Sequence, residues 1–357
     1  MKSAFILGTR PEIIKLSPLI RAMLKAGSPF EIIHTNQHYL PELDKVFFEQ
    51  LELPPPDYNL GVGHGSHGVQ LGRMLQGLDP VLSSQRPDVV FVQGDTNSVL
   101  AGALMAHRLS IPVAHVEAGL RSYDRRMPEE TNRILADRLS DYLLAPTEKA
   151  AGILLAEGFD RERIHVTGNT VVDALQQAAG LTGKLPPVRE RWRVDPGNYI
   201  LVTLHRPENV DSPGTLAGLA DGLGRVGREL GMPLVFPVHP RTALRLEESG
   251  IALPESVIRL GPLDFLAFVQ LEQNSRLVIT DSGGVQEEAC ILGVPCVTAR
   301  ISTERPETVE VGANMVAGTG AGEILAAALE MVRRPTGWGN PFGDGQAGRR
   351  IIEIVAA

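Results

Sequence analysis

Short apolar runs alternate with longer stretches of helical spacing along the first half of the chain. The runs predict buried strands at residues 4–7, 30–34, 89–92, 113–116 and 142–144. Between them, apolar residues recur three and four positions apart, which predicts helices at residues 12–25, 69–84, 98–108 and 131–139. Strand–helix alternation of this kind predicts a parallel sheet covered by helices on both faces.

The alternation then stops and starts again. Residues 181–198 mix charged residues with several Pro and Gly, and we interpret them as a linker. Further strands are predicted at residues 199–204, 234–238, 257–260, 277–280 and 294–298. The fold class is therefore α/β, with two Rossmann-like domains, residues 1–184 and 185–357, facing a cleft. Because ligands bind beyond the carboxyl ends of parallel strands, polar residues just after strands are the candidates for function.

Composition narrows the class of protein. The chain has 357 residues, 43% of them hydrophobic, and such a length favours two domains over one. It contains no apolar run of 18 residues, so we expect no membrane span and, from its short apolar start, no signal peptide. Only Cys290 and Cys296 are present, which fits packing in a reducing cytoplasm better than disulfides or zinc. The net charge of −8 argues against a nucleic-acid partner but leaves an anionic small molecule open.

Two strand ends carry the features of an anion site. Gly8 and Arg10 follow the first predicted strand, and Pro11 is suited to a first helical turn, whose free N–H groups favour an anion. Lys15 lies about one turn further on. The alternative for this motif is an ordinary helix start with a surface arginine. In the second half, Ser282, Gly283 and Gly284 precede a helix predicted at residues 285–292, and their backbone N–H groups suit a phosphate.

Other polar residues near strand ends allow two interpretations each. Glu288 either accepts hydrogen bonds from ribose hydroxyls or only complements the helix dipole. His205 follows a strand, where it can donate to a phosphate or transfer a proton. His239 has a similar position, but we assign it a structural role. Arg305 either caps a phosphate charge or lies on the surface.

The acidic candidates lie in the first half. Asp95 and Glu117 each follow a predicted strand, and neighbouring parallel strands are about 4.8 Å apart, so the two carboxylates share a pocket if their strands are neighbours. Paired carboxylates suit proton removal and return, since their repulsion keeps one of them protonated. Glu129 and Glu130 open a helix, where acids are common. We interpret Glu130 as such an acid and leave the role of Glu129 open.

Taken in order, these segments resemble the non-hydrolysing UDP-N-acetylglucosamine 2-epimerases over nearly the whole chain. Each motif is weak alone, but so many in one order are specific. They are GTRPE (8–12), QGDT (93–96), HVEAGLR (115–121), PEE (128–130), GNTVVDA (168–174), HR (205–206), TDSGGVQEEA (280–289), TERPE (303–307) and NPFGDG (340–345).

The resemblance implies a fold, a reaction and a set of residues. The fold is GT-B-like, with the last helix, about residues 347–357, crossing back to the first domain. The reaction reversibly converts UDP-N-acetylglucosamine to UDP-N-acetylmannosamine by elimination and re-addition of UDP through a glycal, with no metal or other cofactor, in proteins that are commonly homodimers. The residues matching UDP-binding positions are Arg10, Lys15, His205, Ser282, Gly283, Gly284, Glu288 and Arg305, with Leu263 and Phe268 on the uracil side. Those matching the proton-transfer positions are Asp95, Glu117 and Glu129, and His205 is a further catalytic candidate.

Two departures and several alternatives accompany this resemblance. Some bacterial members carry Gln-His-Arg-Gln in a segment linked to allosteric substrate binding, where this chain has QHYL at residues 37–40. Arg300-Ile301-Ser302 also stands where an Arg-Asp pair is common, so the anchoring of the following loop is expected to differ. The alternatives are a 2-epimerase of a related UDP-2-acetamido sugar, such as a 2,3-diacetamido uronic acid, a hydrolysing 2-epimerase, a GT-B glycosyltransferase and a UDP-sugar sensor.

Overall fold

A computed structural model describes residues 1–37, 41–125 and 127–357, without the side chains of residues 41–45. The chain folds into two compact α/β units. The first comprises Met1–Ala174 and Phe342–Ala357, and the second comprises Leu175–Pro341. The QHYL segment compared above lies outside the described residues from His38 to Leu40.

Within the described residues, the first unit is built on a seven-stranded sheet in the order β3-β2-β1-β4-β5-β6-β7, with every pair parallel. Its strands are β1 (Ser3–Leu7), β2 (Phe30–His34), β3 (Tyr58–Asn59), β4 (Val89–Gln93), β5 (Val113–Val116), β6 (Tyr142–Ala145) and β7 (Ile164–Val166). Its helices are α1 (Arg10–Ala26), α2 (Pro41–Gln50), α3 (His67–Gln85), α4 (Asn97–Arg108), α5 (Pro128–Leu139) and α6 (Glu148–Ala156). The next helix, α7 (Thr170–Thr182), runs on into the second unit.

The second unit repeats this plan with a six-stranded parallel sheet in the order β10-β9-β8-β11-β12-β13, counted over the described residues. Its strands are β8 (Ile200–Thr203), β9 (Leu234–Pro237), β10 (Val257–Leu260), β11 (Leu277–Thr280), β12 (Cys296–Thr298) and β13 (Asn314–Val316). Its helices are α8 (Val188–Trp192), α9 (Pro207–Val210), α10 (Pro213–Leu230), α11 (Pro240–Glu248), α12 (Phe265–Gln273), α13 (Gly283–Leu292), α14 (Pro306–Glu310) and α15 (Ala321–Met331).

Each sheet reverses its strand order at one place. β1 pairs with both β2 and β4, and β8 pairs with both β9 and β11. The chain therefore leaves the two central strands toward opposite edges of each sheet, which opens a crevice at their carboxyl ends. The turns after β1 and β4, and after β8 and β11, are the places where this topology expects a ligand.

The last helix, α16 (Ala347–Ala356), returns to the first unit and packs on α1. Its buried Ile351 and Val355 face the unit, and Gly348 leaves no room for a side chain, since an added Cβ would lie 2.9 Å from Pro18. The Asp173 carboxylate accepts hydrogen bonds from the N–H groups of Ala347 and Gly348, satisfying the start of the helix. Two parallel α/β units and a returning C-terminal helix confirm the predicted GT-B-like class.

The structure contains helices and strands that the sequence analysis did not predict, such as α10, α15 and several short elements. The two-residue β3 and the three-residue β7 and β13 lie at sheet edges and were not predicted, because so few residues leave no periodic pattern. Part of the predicted linker is helical, since α7 continues to Thr182 and α8 begins after Pro187. Across the described residues, no helix is long and apolar enough to cross a membrane.

Candidate active site

The turn after β1 is tight because Gly8 faces buried side chains. A Cβ on Gly8 would lie 2.0 Å from the Thr35 hydroxyl oxygen and 2.3 Å from that of Ser98. The Gly8 N–H donates to Glu12 Oε2 over 2.8 Å, which ties the turn to the first turn of α1. Arg10 is the first residue of α1, and its guanidinium lies 5.5 Å from the centre of the Phe47 ring. The structure thus places Arg10 at the start of α1.

The turn after β4 is held through its backbone carbonyls. Imidazole Nε2 of His115 is 2.8 Å from the Gly94 carbonyl oxygen, and the Asn132 amide donates to the Asp95 carbonyl over 3.0 Å. The Asp95 carboxylate pairs with the Arg133 guanidinium and keeps about a third of its surface exposed. Asp95 therefore presents a fixed, partly accessible carboxylate at the switch point of the first sheet.

A buried ionic network supports the turn after β4 through His115. His115 Nδ1 lies 2.7 Å from Asp137 Oδ1, and Arg121 contacts the second Asp137 oxygen at 2.7 Å. Burial on its own lowers the pKa of an imidazole, but the adjoining Asp137 carboxylate outweighs it and the pKa of His115 is raised. A protonated imidazole donates from both nitrogens, so it holds Asp137 and the Gly94 carbonyl together.

Glu117 occupies an environment made of donors. The Lys15 ammonium lies 2.7 Å from both carboxylate oxygens, the Gln93 amide donates to Oε2, and the Asn169 amide donates to Oε1 over 3.4 Å. Such surroundings suit a carboxylate, which only accepts hydrogen bonds. The backbone of Glu117 has φ = +72°, a strained conformation for a non-glycine residue that marks sites under functional constraint.

The neighbouring acids at the start of α5 differ from each other. Glu130 is buried and accepts hydrogen bonds from the Ser122 and Tyr123 N–H groups and from Arg133. Burial alone would raise the pKa of Glu130, but these hydrogen bonds hold it below its usual value. Glu130 thus anchors the loop before α5, whereas Glu129 is only half-buried. Glu129 keeps its place as a proton-transfer prediction.

In the second unit, Asp281 organises the turns after β8 and β11. It is fully buried and accepts from the N–H groups of His205 and Arg206 and from the Asn209 amide, each at 3.0 Å. His205 Nδ1 lies 3.0 Å from Asp281 Oδ1. Burial acts to raise the pKa of Asp281, but the hydrogen bond from His205 and its other donors bring it below its usual value. Asp281 fixes the imidazole through Nδ1, which leaves Nε2 as the nitrogen that His205, 39% exposed, can offer to a ligand.

The start of α13 has an open N-terminus. Ser282 is the residue before the helix, and its hydroxyl makes no capping hydrogen bond to the helix backbone. A Cβ on Gly283 would lie 2.4 Å from Glu304 Oε1. A Cβ on Gly284 would have more space, because its nearest atom outside the adjoining residues, Ser282 Oγ, would be 3.9 Å away. The first N–H groups of α13 and the Ser282 hydroxyl therefore form the kind of site that binds a phosphate.

Glu288 lies within α13, and Arg305 follows in the chain as the residue before α14. Arg305 Nε is 2.9 Å from Glu287 Oε1, and its backbone N–H donates to the Thr303 hydroxyl over 3.0 Å. Glu288 is half-buried and near the fully buried Glu272. Burial, and then the charge of Glu288, raises the pKa of Glu272 well above its usual value.

The two apolar candidates belong to one hydrophobic cluster of the second unit. Leu263 precedes α12 and Phe268 lies within it, and both are partly buried against a core that includes Leu201, Val278 and Cys296. The exposed parts of the two side chains suit an apolar face such as that of a base.

Sequence reasoning missed the residues that hold the candidates in place. Asp281 lies inside a quoted motif but had no role assigned, and Asp137 and Arg133 lie outside every motif. Only Asp281 carried a signal, since a buried acid directly after a strand requires donors. Which donors face it depends on strand order, and a single sequence does not state that order.

Arginine, helix starts and carboxylates at the switch points of two parallel sheets define a nucleotide-binding α/β protein. The profile described as UDP-N-acetylglucosamine 2-epimerase matches residues 23–356. The chain belongs to the UDP-N-acetylglucosamine 2-epimerase family.

Relatives and solved structures agree over the full length. The UDP-N-acetylglucosamine 2-epimerase of Methanocaldococcus jannaschii is 51% identical, with 99% of each chain covered. The crystal structure of that protein in complex with UDP-GlcNAc and UDP superimposes with a TM-score of 0.87, covering 100% of this chain and 99% of the other. The UDP-2,3-diacetamido-2,3-dideoxy-D-glucuronate 2-epimerase of Pseudomonas aeruginosa is 42% identical, covering 100% of this chain and 99% of its relative.

Proposed function

We propose that this protein reversibly inverts C2 of UDP-N-acetylglucosamine and yields UDP-N-acetylmannosamine without releasing the free sugar. The observation that carries the proposal is the position of Asp95 at the switch point of one sheet, with Glu117 at the end of the neighbouring β5, and of His205 and the α13 start at the switch point of the other. The full-length relative from Methanocaldococcus jannaschii, which is 51% identical and is named UDP-N-acetylglucosamine 2-epimerase, supports UDP-N-acetylglucosamine as the substrate.

The second unit, with Arg10, serves the nucleotide. Ser282, Gly283 and Gly284 offer N–H and hydroxyl donors to the diphosphate, and His205 and Arg305 add further donors. Leu263 and Phe268 serve the uracil, and Glu288 accepts from the ribose hydroxyls. Breaking the C1–O bond leaves negative charge on the departing diphosphate, and preorganised donors stabilise such charge better than water does.

The first-unit carboxylates serve C2. The C2 proton of this sugar is not acidic, because no carbonyl adjoins the carbon. A carboxylate takes the C2 proton, the C–H electron pair forms the C1=C2 double bond, and UDP leaves with the pair of the C1–O bond. UDP then adds back to C1 while C2 receives a proton on its other face. Asp95, Glu117 and Glu129 are the acid–base candidates, and such groups contribute typically about 10²–10⁴-fold.

Lys15 has a position that modifies its predicted role. The Lys15 ammonium contacts both oxygens of Glu117. If Lys15 also contacts UDP, as predicted, it interacts with the carboxylate and the leaving group at the same time. We propose that Lys15 balances the charge of Glu117 while UDP departs. The amides of Gln93 and Asn169 keep Glu117 in place as this charge moves.

Two further expectations belong to this proposal. We propose that the protein is a homodimer, on the resemblance stated above. We also propose that it acts in the cytoplasm, since Cys290 and Cys296 are both buried free thiols.

The proposal is tested by incubating the protein with UDP-N-acetylglucosamine in D₂O and following the sugar by proton NMR. We expect UDP-N-acetylmannosamine carrying deuterium at C2. Free N-acetylmannosamine as the main product would identify a hydrolysing enzyme. Absence of both exchange and a new sugar would exclude epimerisation of this substrate.

One alternative substrate has an observation in its favour, namely the 42% identical relative named for a diacetamido glucuronate. A parallel assay with that UDP-sugar separates the two. We expect the ratio kcat/KM to be higher for UDP-N-acetylglucosamine, and the reverse order would assign the protein to the uronate.

A further inference from the structure

Glu12 is a buried carboxyl between two turns of the first unit and has no role in the reaction described above. Its side chain is 1% exposed. It accepts from the Gly8 N–H over 2.8 Å at one oxygen and from the Thr96 hydroxyl over 2.6 Å at the other. Gly8 is in the turn that leads to Arg10, and Thr96 directly follows Asp95.

We propose that Glu12 is a positioning residue that ties the turn carrying Arg10 to the turn carrying Asp95, and that its ionised form is the one that holds both turns in the active arrangement. The inference rests on the proposed function of Asp95 and Arg10 and extends it. Glu12 is in this view the link that holds the turn of Arg10, on the leaving-group side, and the turn of Asp95, on the proton-transfer side, in fixed relative positions.

An ordinary helix cap explains only half of this geometry. Glu12 is the third residue of α1, and a glutamate there commonly accepts from a backbone N–H just before the helix, as it does from Gly8. The contact with Thr96 joins residues 84 positions apart and lies between β1 and β4, the two strands that flank the switch point. Thr96 also caps α4 by accepting from the Val99 N–H, so Glu12 reaches the start of that helix as well.

The two protonation states of Glu12 use different hydrogen bonds. The Gly8 N–H is always a donor, so it requires an acceptor oxygen in both states. When Glu12 is ionised, the Thr96 hydroxyl donates to the second oxygen. When Glu12 is neutral, that oxygen carries the proton and must donate to Thr96 instead, which turns the threonine hydroxyl away. Protonation therefore reverses the direction of the one bond that reaches the Asp95 turn.

The change in protonation of Glu12 falls in the physiological pH range. Burial raises the pKa of Glu12 to about 7, against the opposing effect of the hydrogen bonds from Thr96 and Gly8. Within the described residues, no ion pair reaches Glu12. Among the described side chains, the charged groups on α1 and on the elements and turns packed against it are Arg10, Lys15, Arg21 and Lys25 on α1, Glu49 on α2, Asp95, and Arg349, Arg350 and Glu353 on α16.

The sign of the pH effect follows from the raised pKa. Below about pH 7 Glu12 is neutral and its bond to the Thr96 hydroxyl is reversed, whereas above it the carboxylate accepts from both turns. We therefore expect kcat for C2 epimerisation to rise as the pH passes through about 7, while KM changes little, because the tie orders the turns more than it contacts the substrate.

The first test is E12Q, which copies the neutral acid with one acceptor oxygen and one donor. We expect kcat to fall roughly ten- to hundredfold, because small misplacements of reacting groups have effects of this size. We also expect the rise of kcat near neutral pH to disappear. The matched control is D173N, a buried carboxyl of the same unit that accepts two backbone N–H groups at α16. We expect D173N to keep the rise. A folded E12Q that retains the pH profile of the unchanged protein would overturn the proposal.

A second pair of variants covers the case in which E12Q fails to fold. T96V removes the hydroxyl and keeps the shape, whereas T96S keeps the hydroxyl. We expect T96V to lose the rise in kcat and T96S to retain it, and identical profiles for both would count against Glu12. If the unchanged protein shows no C2 exchange in D₂O, the proposed function fails. If it shows exchange without a rise near neutral pH, only the role of Glu12 fails.

Discussion

Asp281 decides what His205 presents to a ligand. The carboxylate accepts from both the backbone and the ring of His205 and also from Arg206 and Asn209, so its four donors converge on one buried group. A neutral amide in this position would bring an NH₂ group against donors. Glu117 is likewise surrounded by donors, since its carboxylate accepts from Lys15 and from two amides.

The first prediction concerns Asp281. We expect D281N to lower the free energy of unfolding by about 1–3 kcal/mol, because a buried donor loses its acceptor. UDP affinity should fall about tenfold, since the His205 ring is no longer fixed. Both are measurable, by chemical denaturation and by calorimetric titration with UDP. D211N serves as the control, because Asp211 pairs with Arg241 and Arg245 on the surface. Equal loss of UDP affinity in the two variants would refute the role of Asp281.

At the scale of elements, the helix starts are placed by the strands before them. α1 follows β1 after two residues, and α13 follows β11 after two residues, so both helices begin at a switch point. The open N-terminus of α13 and the Arg10 end of α1 are consequences of these short connections. α16 differs, because it reaches the first unit only through a long excursion of the chain and its docking depends on side-chain fit.

The docking of α16 on α1 gives the second prediction. G348A places a methyl group 2.9 Å from Pro18 Cβ and 3.1 Å from its backbone carbonyl carbon, which cannot move aside as a flexible side chain does. We expect a loss of roughly 1–3 kcal/mol, typical of overpacking, measured as a lower midpoint of thermal unfolding. G322A is the matched control, because an added Cβ there has no atom within 4 Å apart from its chain neighbours and the backbone of its own helix. A midpoint for G348A at or above that of G322A would contradict this account of the packing.

At the scale of the whole molecule, the candidate groups are divided between two units with similar topology. Carboxylates that suit C2 chemistry lie in the first unit, and the helix start, histidine and arginine that suit a diphosphate lie in the second. Under the proposed function, variants of the first unit slow C2 exchange and variants of the second weaken UDP binding.

This division gives the third prediction. We expect D95N to slow C2 exchange about 10²–10⁴-fold with little change in UDP affinity. R305A should weaken UDP binding about tenfold, as loss of a charge-assisted hydrogen bond does, while R228A on the exposed face of α10 should do neither. Calorimetry with UDP and the D₂O assay measure the two effects. Parallel losses of binding and exchange in D95N would remove Asp95 from the acid–base roles.

How far the sequence predicts this protein depends on the length of each element. The strands β1, β4, β8 and β11 and the helices α1, α3, α4 and α13 were predicted within a few residues, and the returning C-terminal helix followed from the resemblance. The edge strands β3, β7 and β13 and the short helices α8, α9 and α14 were not predicted, because two to five residues carry too little periodicity.

The sequence by itself determined which residues stand at strand ends, since alternation of apolar and polar positions is a local property. It thereby named Arg10, Asp95, Glu117, His205 and Ser282 as candidates. Only the tertiary structure decided what faces each of them: Lys15 against Glu117, Asp281 behind His205, and Glu12 between the turns of Gly8 and Thr96. These partners lie far apart in sequence, and they meet because the strand order, which depends on the packing of the whole sheet, brings their turns together.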